Sequence, residues 1–118
     1  MAITVAFSSS EAVSTTEHSM TSDAAYAAGT FIATDGVYQL FLDLADLTVG
    51  DELQVRIYEK VLSGGTQRIV YQQNISGELG TWGNNWAFPA LVLMHGWDMT
   101  LDAISGTITV AWTIKKVA

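Results

Sequence analysis

Alternation of apolar and polar residues with a period of two runs through most of the chain. From Gly36 to Leu44 the residues Tyr38, Leu40, Leu42 and Leu44 share one face while Gln39 and Asp43 face away, the pattern of a half-buried strand. Leu53, Val55, Ile57 and Val61 repeat it with Gln54, Arg56, Tyr58 and Lys60 opposite; Glu59 is the one misfit on the inward face, as at a polar edge or an ion pair. Ser63-Gly64-Gly65 then predicts a β-hairpin into a run from Thr66 to Ile75. In that run Ile69, Tyr71 and Ile75 share a face, but Val70 sits on the other, so both faces are expected to be partly covered. Leu91, Leu93 and Trp97 alternate through a further strand that Met99 and Leu101 continue, and Pro89 and Gly96 predict that it is broken by a bulge or lies at an edge. Ser105-Gly106 predicts a second hairpin, into a strand with Ile108, Val110, Trp112 and Ile114 inward.

With an N-terminal strand carrying Ile3, Val5 and Phe7, these runs predict an all-β chain: an antiparallel β-sandwich, jelly-roll or Ig-like, of about seven to eight strands. No long helical stripe is present; Ser22 to Ala28, with four alanines, reads as a short helical turn or loop ending at Gly29. The 118 residues suit a single β-sandwich domain over 1–118, in which 1–22 forms an extended arm or edge strand. The Gly- and Asn-rich stretch from Asn74 to Asn85 favours an irregular loop.

Charge narrows the partners. Five Lys and Arg against twelve Asp and Glu give a net charge of -7 with no basic cluster, which disfavours nucleic acid. Any complementary surface is expected to carry Lys or Arg, with an attraction that weakens as salt is added. The longest apolar run, Trp86 to Met94, is nine residues and contains Pro89, so no membrane association is expected. The first ten residues do not read as a signal peptide, and synthesis in a cytoplasm is the expectation. Without cysteine there is no disulfide, thiolate metal site or thiol nucleophile.

Candidate chemistry is sparse. His18 and His95 lie in unlike contexts, and a zinc site would have to recruit carboxylates, so both are taken as ordinary polar side chains. Asp43, Asp46, Asp51 and Glu52 lack EF-hand spacing and read as solvated turn acids; calcium is expected to leave the melting temperature unchanged, and a rise of several degrees at millimolar calcium would contradict this. Asp98 and Asp102, four apart on a strand, are about 13 Å from one another, too far for paired-carboxylate hydrolysis. No Gly-x-Ser-x-Gly surrounds Ser8, Ser9 or Ser10. The expectation is a protein that is not an enzyme and has no cofactor or metal site. Trp82 and Trp86 flank Gly83-Asn84-Asn85, where they cap an open end of the sandwich, join a partner interface or form a carbohydrate platform.

Five segments bear a family resemblance: Asp35-Gly-Val-Tyr-Gln-Leu-Phe-Leu-Asp-Leu44, Val55-Arg-Ile-Tyr-Glu-Lys-Val61, Gly65-Thr-Gln-Arg68, His95-Gly-Trp-Asp-Met-Thr-Leu101 and Ala111-Trp-Thr-Ile-Lys-Lys116. Through them the chain resembles, end to end, small virion structural proteins of tailed bacteriophages. The resemblance carries no catalytic motif. It implies a capsid decoration or cement protein on the outside of a phage head, with the major capsid protein and further copies of itself, as a homotrimer, for partners. Location on the virion follows, after synthesis in the host cytoplasm. Trp82, Trp86, Phe88, Ile3, Val5 and Phe7 are the candidate partner interface. The alternative is a carbohydrate- or receptor-binding module of a head fibre or tail, with Trp82, Trp86 and Asn84 meeting a glycan.

Overall fold

Ten strands make up the computed structural model, which describes residues 3–27, 29, 32, 34–77 and 85–118. They are β1 (Thr4–Val13), β2 (His18–Ser19), β3 (Ala24–Ala25), β4 (Gly36–Asp43), β5 (Glu52–Lys60), β6 (Gln67–Ser76), β7 (Asn85–Ala87), β8 (Leu91–Leu93), β9 (Trp97–Ala103) and β10 (Ile108–Lys116). One antiparallel sheet runs β1-β10-β4-β7, with β8 also on β4; the other runs β3-β2-β9-β5-β6. The alternating apolar faces meet between the sheets, where Leu40, Leu42, Leu53, Val55, Leu101, Val110 and Ile114 are all buried.

The order of strands selects between the two expected topologies. β7 and β8 pair with successive stretches of β4, Phe41 to Asp43 and Gly36 to Tyr38, so they act as one strand interrupted at Phe88 to Ala90. With that pair counted once and the two-residue β3 set aside, eight strands form sheets ordered β1-β10-β4-β7/β8 and β2-β9-β5-β6. The chain changes sheet between successive members of this set except between β5 and β6, which is the jelly-roll arrangement. An immunoglobulin sandwich distributes its strands differently.

Four local expectations are corrected. Ser105-Gly106 does not close a hairpin: β9 pairs with β5 and β2 while β10 pairs with β1 and β4, so the link carries the chain across the sandwich. The run from Leu91 to Leu101 is likewise two strands in two sheets. His95 and Gly96, at φ of 62° and 80°, are both left-handed, and this pair of residues turns the chain over between β8 and β9. Ala24 and Ala25 form β3 against β2 instead of a helical turn, because the turn before them closes at Asp23, also left-handed at 53°. Ala28 lies outside the described residues. Val61 does not continue the inward row of β5; that strand ends at Lys60, and Val61 is 81% exposed in the turn to β6.

Two bulges explain why other apolar residues change face. Ile57 pairs with Tyr71 and Tyr58 with Ile69, which leaves Val70 as the extra residue and sends Ile69 to the outer side with Tyr58. On β1, Val5 pairs with Lys115 and Phe7 with Ile114, so Ala6 is the extra residue. Val5 therefore points out while Phe7 points in against Trp97, with ring centroids 6.3 Å apart. Glu59 keeps its inward register at the rim of the sandwich, where its carboxylate accepts the Met94 backbone N–H.

Candidate interaction surface and the polar face

Register places the exposed apolar residues. Thr4 pairs with Lys116, Lys116 with Tyr38 and Gly36 with Leu93, which sets the start of β1 and the end of β8 at one end of the first sheet. In the second sheet Lys60 pairs with Gln67, and its N–H reaches Gly96 O, which brings the β5–β6 turn to the same end beside Met94. Ile3, Val5, Val61, Leu62, Val92 and Met94 thus collect at one end of the sandwich, all exposed, with Leu62 at 71% and Val92 at 74%. Exposed large apolar side chains gathered at one place mark an interaction site more often than chance scatter does.

The candidate interface named from the sequence divides accordingly. Ile3 and Val5 are exposed at this end. Phe7 is half-buried against the core, and Phe88, at 2% exposure, packs edge-on to Tyr71 with centroids 6.0 Å apart, so it offers no surface to a partner. Trp86 is half-buried against the core, and Trp82 and Asn84 lie outside the described residues. Leu62, Val92 and Met94 were not singled out from sequence, and Val61 was assigned there to the inward row of its strand. Two apolar residues directly before Ser63-Gly64-Gly65 were the available signal, since a tight turn leaves them nowhere to be buried.

The outer faces of the two sheets differ in chemistry. On the first, Ser8, Ser10, Ala12, Thr109, Ala111 and Thr113 lie side by side, and Lys115 rests 4.2 Å over the Phe41 ring. On the second, β9 is buried on both sides: Trp97, Met99, Leu101 and Ala103 face the core, while Asp98, Thr100 and Asp102 lie beneath the segment from Glu17 to Tyr26. Glu17 is the centre of that cover. Its carboxylate accepts Tyr58 Oη at 2.7 Å and Thr100 Oγ1 at 2.5 Å, and lies 3.4 Å from Arg56 Nη1. Tyr26 stacks on Tyr58 at 4.5 Å and donates to Gln67 Oε1. Fully buried Asp98 accepts from Ser19 Oγ, Thr21 Oγ1 and the Met99 N–H.

These contacts define a pH response. Burial raises the Asp98 carboxyl above its ordinary 3.8, against the pull of the Thr21, Ser19 and Met99 hydrogen bonds. Burial raises Asp102 as well, against the attraction of Arg56, whose Nη1 is 3.7 Å from its Oδ1. A carboxyl raised on folding binds its proton more tightly in the native state. Its contribution to stability is therefore present below the unfolded value and is lost as pH climbs through the folded one. Asp23, lowered chiefly by its hydrogen bond from His18 and then by that from Ser9, works the other way, but only as pH falls below 3.8. The melting temperature is expected to rise between pH 7 and a little above 3.8, a trend that discharge of the acidic surface reinforces. A calorimetric series showing a steady fall over that window would contradict this.

The turn acids are engaged in hydrogen bonds to backbone N–H groups and a hydroxyl. Asp43 accepts from Ala45 N, Asp51 from Thr48 N and Oγ1, and Asp46 from Thr109 N, so each carboxylate closes a turn or holds a strand start.

No family model matches the chain, and no curated protein does. Among solved structures it is similar to the crystal structure of a pentameric capsid protein isolated from metagenomic phage sequences, at 16% identity and a TM-score of 0.43. The likeness covers 98% of this chain, which spans 65% of that protein's length.

Proposed function

We propose that the chain is a structural protein of a phage virion, a decoration or cement protein that binds the outer surface of the head and has no catalytic activity. The observation that carries the proposal is the exposed apolar end formed by Ile3, Val5, Val61, Leu62, Val92 and Met94 on a molecule of net charge -7. Such a patch fits seating on other subunits, with the net negative charge meeting Lys or Arg around it. The segments that resemble phage virion proteins support the same role, and the jelly roll is a fold that viral capsid domains share with lectins and cupins. Fold alone does not choose among these. Self-association as a trimer at a lattice symmetry axis is part of the proposal, with about 1,000 Å² or more buried per interface.

The test is co-sedimentation with expanded capsids that lack the protein. The native chain is expected to bind at micromolar concentration and to delay capsid rupture. Val61→Glu with Leu62→Glu, in an exposed turn, is expected to weaken binding by about tenfold or more while leaving the circular dichroism unchanged. Failure of the native chain to bind at that concentration would count against the proposal.

A further inference from the structure

Glu11 on β1, His18 on β2 and Asp23 in the β2–β3 turn meet where the edges of the two sheets come together, each with a ligand atom within 4.8 Å of the others'. His18 is buried, its ring 5.5 Å from that of Trp112, so the imidazole is held in place. Nε2 lies 2.9 Å from Asp23 Oδ1, and the other oxygen of Asp23 accepts the Ser9 hydroxyl. On the far side of the ring Nδ1 faces Glu11 Oε2 across 3.7 Å, while Glu11 Oε1 accepts the Ala12 N–H.

With Nε2 held beside Asp23 Oδ1, the ring presents Nδ1 to a carboxylate oxygen of Glu11. The gap is too long for a hydrogen bond, which closes at about 2.7–3.2 Å. It is near the separation of about 3.3 Å between two ligand atoms on one tetrahedral zinc ion with bonds of about 2.0–2.1 Å. An imidazole whose other nitrogen donates to a carboxylate is also how metal-binding histidines are oriented. Beside the pair is a hollow of about 240 Å³ lined by Glu11, Ser14, Thr16, Glu17 and His18, which leaves room for an ion and its waters.

We propose that His18 Nδ1 and the Glu11 carboxylate bind a divalent ion of the zinc class, with Asp23 as the positioning residue for the imidazole and water completing the coordination. The imidazole and carboxylate donors favour zinc over calcium. Bound there, the ion links β1 of one sheet to β2 of the other and staples the edge of the sandwich. The proposal is independent of the virion role.

The test is titration of the full chain with zinc chloride, followed by melting temperature and by isothermal calorimetry, with cobalt(II) as a spectroscopic probe of the ligand set. One ion per chain is expected to bind, raising the melting temperature by about 5 °C at a tenfold excess over Kd, with no rise from calcium. Asp23→Asn is expected to weaken binding by about 10- to 100-fold. Buried His18 contributes to the fold, so Glu11→Gln on a partly exposed side chain is the deciding variant: it should keep the metal-free melting temperature and lose the zinc response. No binding at millimolar zinc, or binding unchanged in Glu11→Gln, would overturn the proposal.

Discussion

Trp97→Ala is expected to lower the unfolding free energy by about 4 kcal/mol, the largest loss from any single truncation considered. Trp97 has no exposed surface and stands where the two sheets meet at the apolar end. Its ring lies 4.4 Å from that of Tyr38 and 6.3 Å from that of Phe7, so truncation opens a cavity walled by two aromatic rings from the opposite sheet. The indole N–H donates to Thr34 O, which the Tyr38 hydroxyl also reaches, so truncation removes one of its two donors; the backbone of Trp97 forms a two-way bridge with Ile32. A domain of this size has about 5–15 kcal/mol of total stability, so the variant should unfold at markedly lower denaturant. Trp97→Phe keeps most of the volume and should lose about half as much. Urea melts of the two variants decide this, and equal loss in both would show that the indole hydrogen bond, and not the volume, sets the cost.

The second large effect is expected at Glu17. Truncation to Ala removes the acceptor for Tyr58 and Thr100 and the anion facing Arg56, and does so beneath the cover formed by Tyr26. One hydrogen bond between neutral groups contributes about 1 kcal/mol, but a charged acceptor shared by three donors on a half-buried face is expected to cost about 3 kcal/mol when removed. The phenol of Tyr58 gives a separate readout. Burial first, and then the hydrogen bond to Glu17, push its pKa far up, so Glu17→Ala should bring phenol ionisation down towards its ordinary 10. An unchanged spectrophotometric titration of Tyr58 alongside a small stability loss would mean that the network is weaker than its geometry implies.

The alternation in the sequence identifies faces well and partners poorly. Tyr38, Leu40, Leu42 and Leu44 are buried as their spacing implies, as are Ile108, Val110, Trp112 and Ile114. Each of these runs needs only to know that one side is dry. The mistaken hairpin at Ser105-Gly106 has the opposite cause: a short polar link looks the same whether the chain turns back within one sheet or crosses to the other. What separates the cases is which strands β9 and β10 pair with, and those partners, β5 and β4, lie far back in the chain. Bulges are equally silent, since one extra residue at Ala6 or Val70 reverses the face of what precedes it without a Gly or Pro to mark it. Phe88 illustrates the limit on site prediction. Beside Trp82 and Trp86 it reads as part of an aromatic loop, but it closes the core between β7 and β8.

The polar clusters were hidden for the same reason. Glu17 and Thr100 are separated by 83 positions, and Ser19 and Asp98 by 79, and no local spacing links them. Glu11, His18 and Asp23 are close in sequence, yet they occupy a strand of one sheet, a strand of the other and a turn, so no single-element ligand motif describes them. Only the closing of β1 against β10 and of β2 against β9 brings the three together.

The proposed virion role requires that the apolar end of this jelly roll seats on a phage head. A cryo-EM map of the particle carrying the protein, at a resolution that shows β-sandwiches, tests it most directly. A sandwich of this size is expected at lattice positions on the outer shell, with the end bearing Ile3, Val61, Leu62 and Val92 turned towards the capsid. Density confined to the tail or to a fibre tip, or on the head with that end facing solvent, would contradict it.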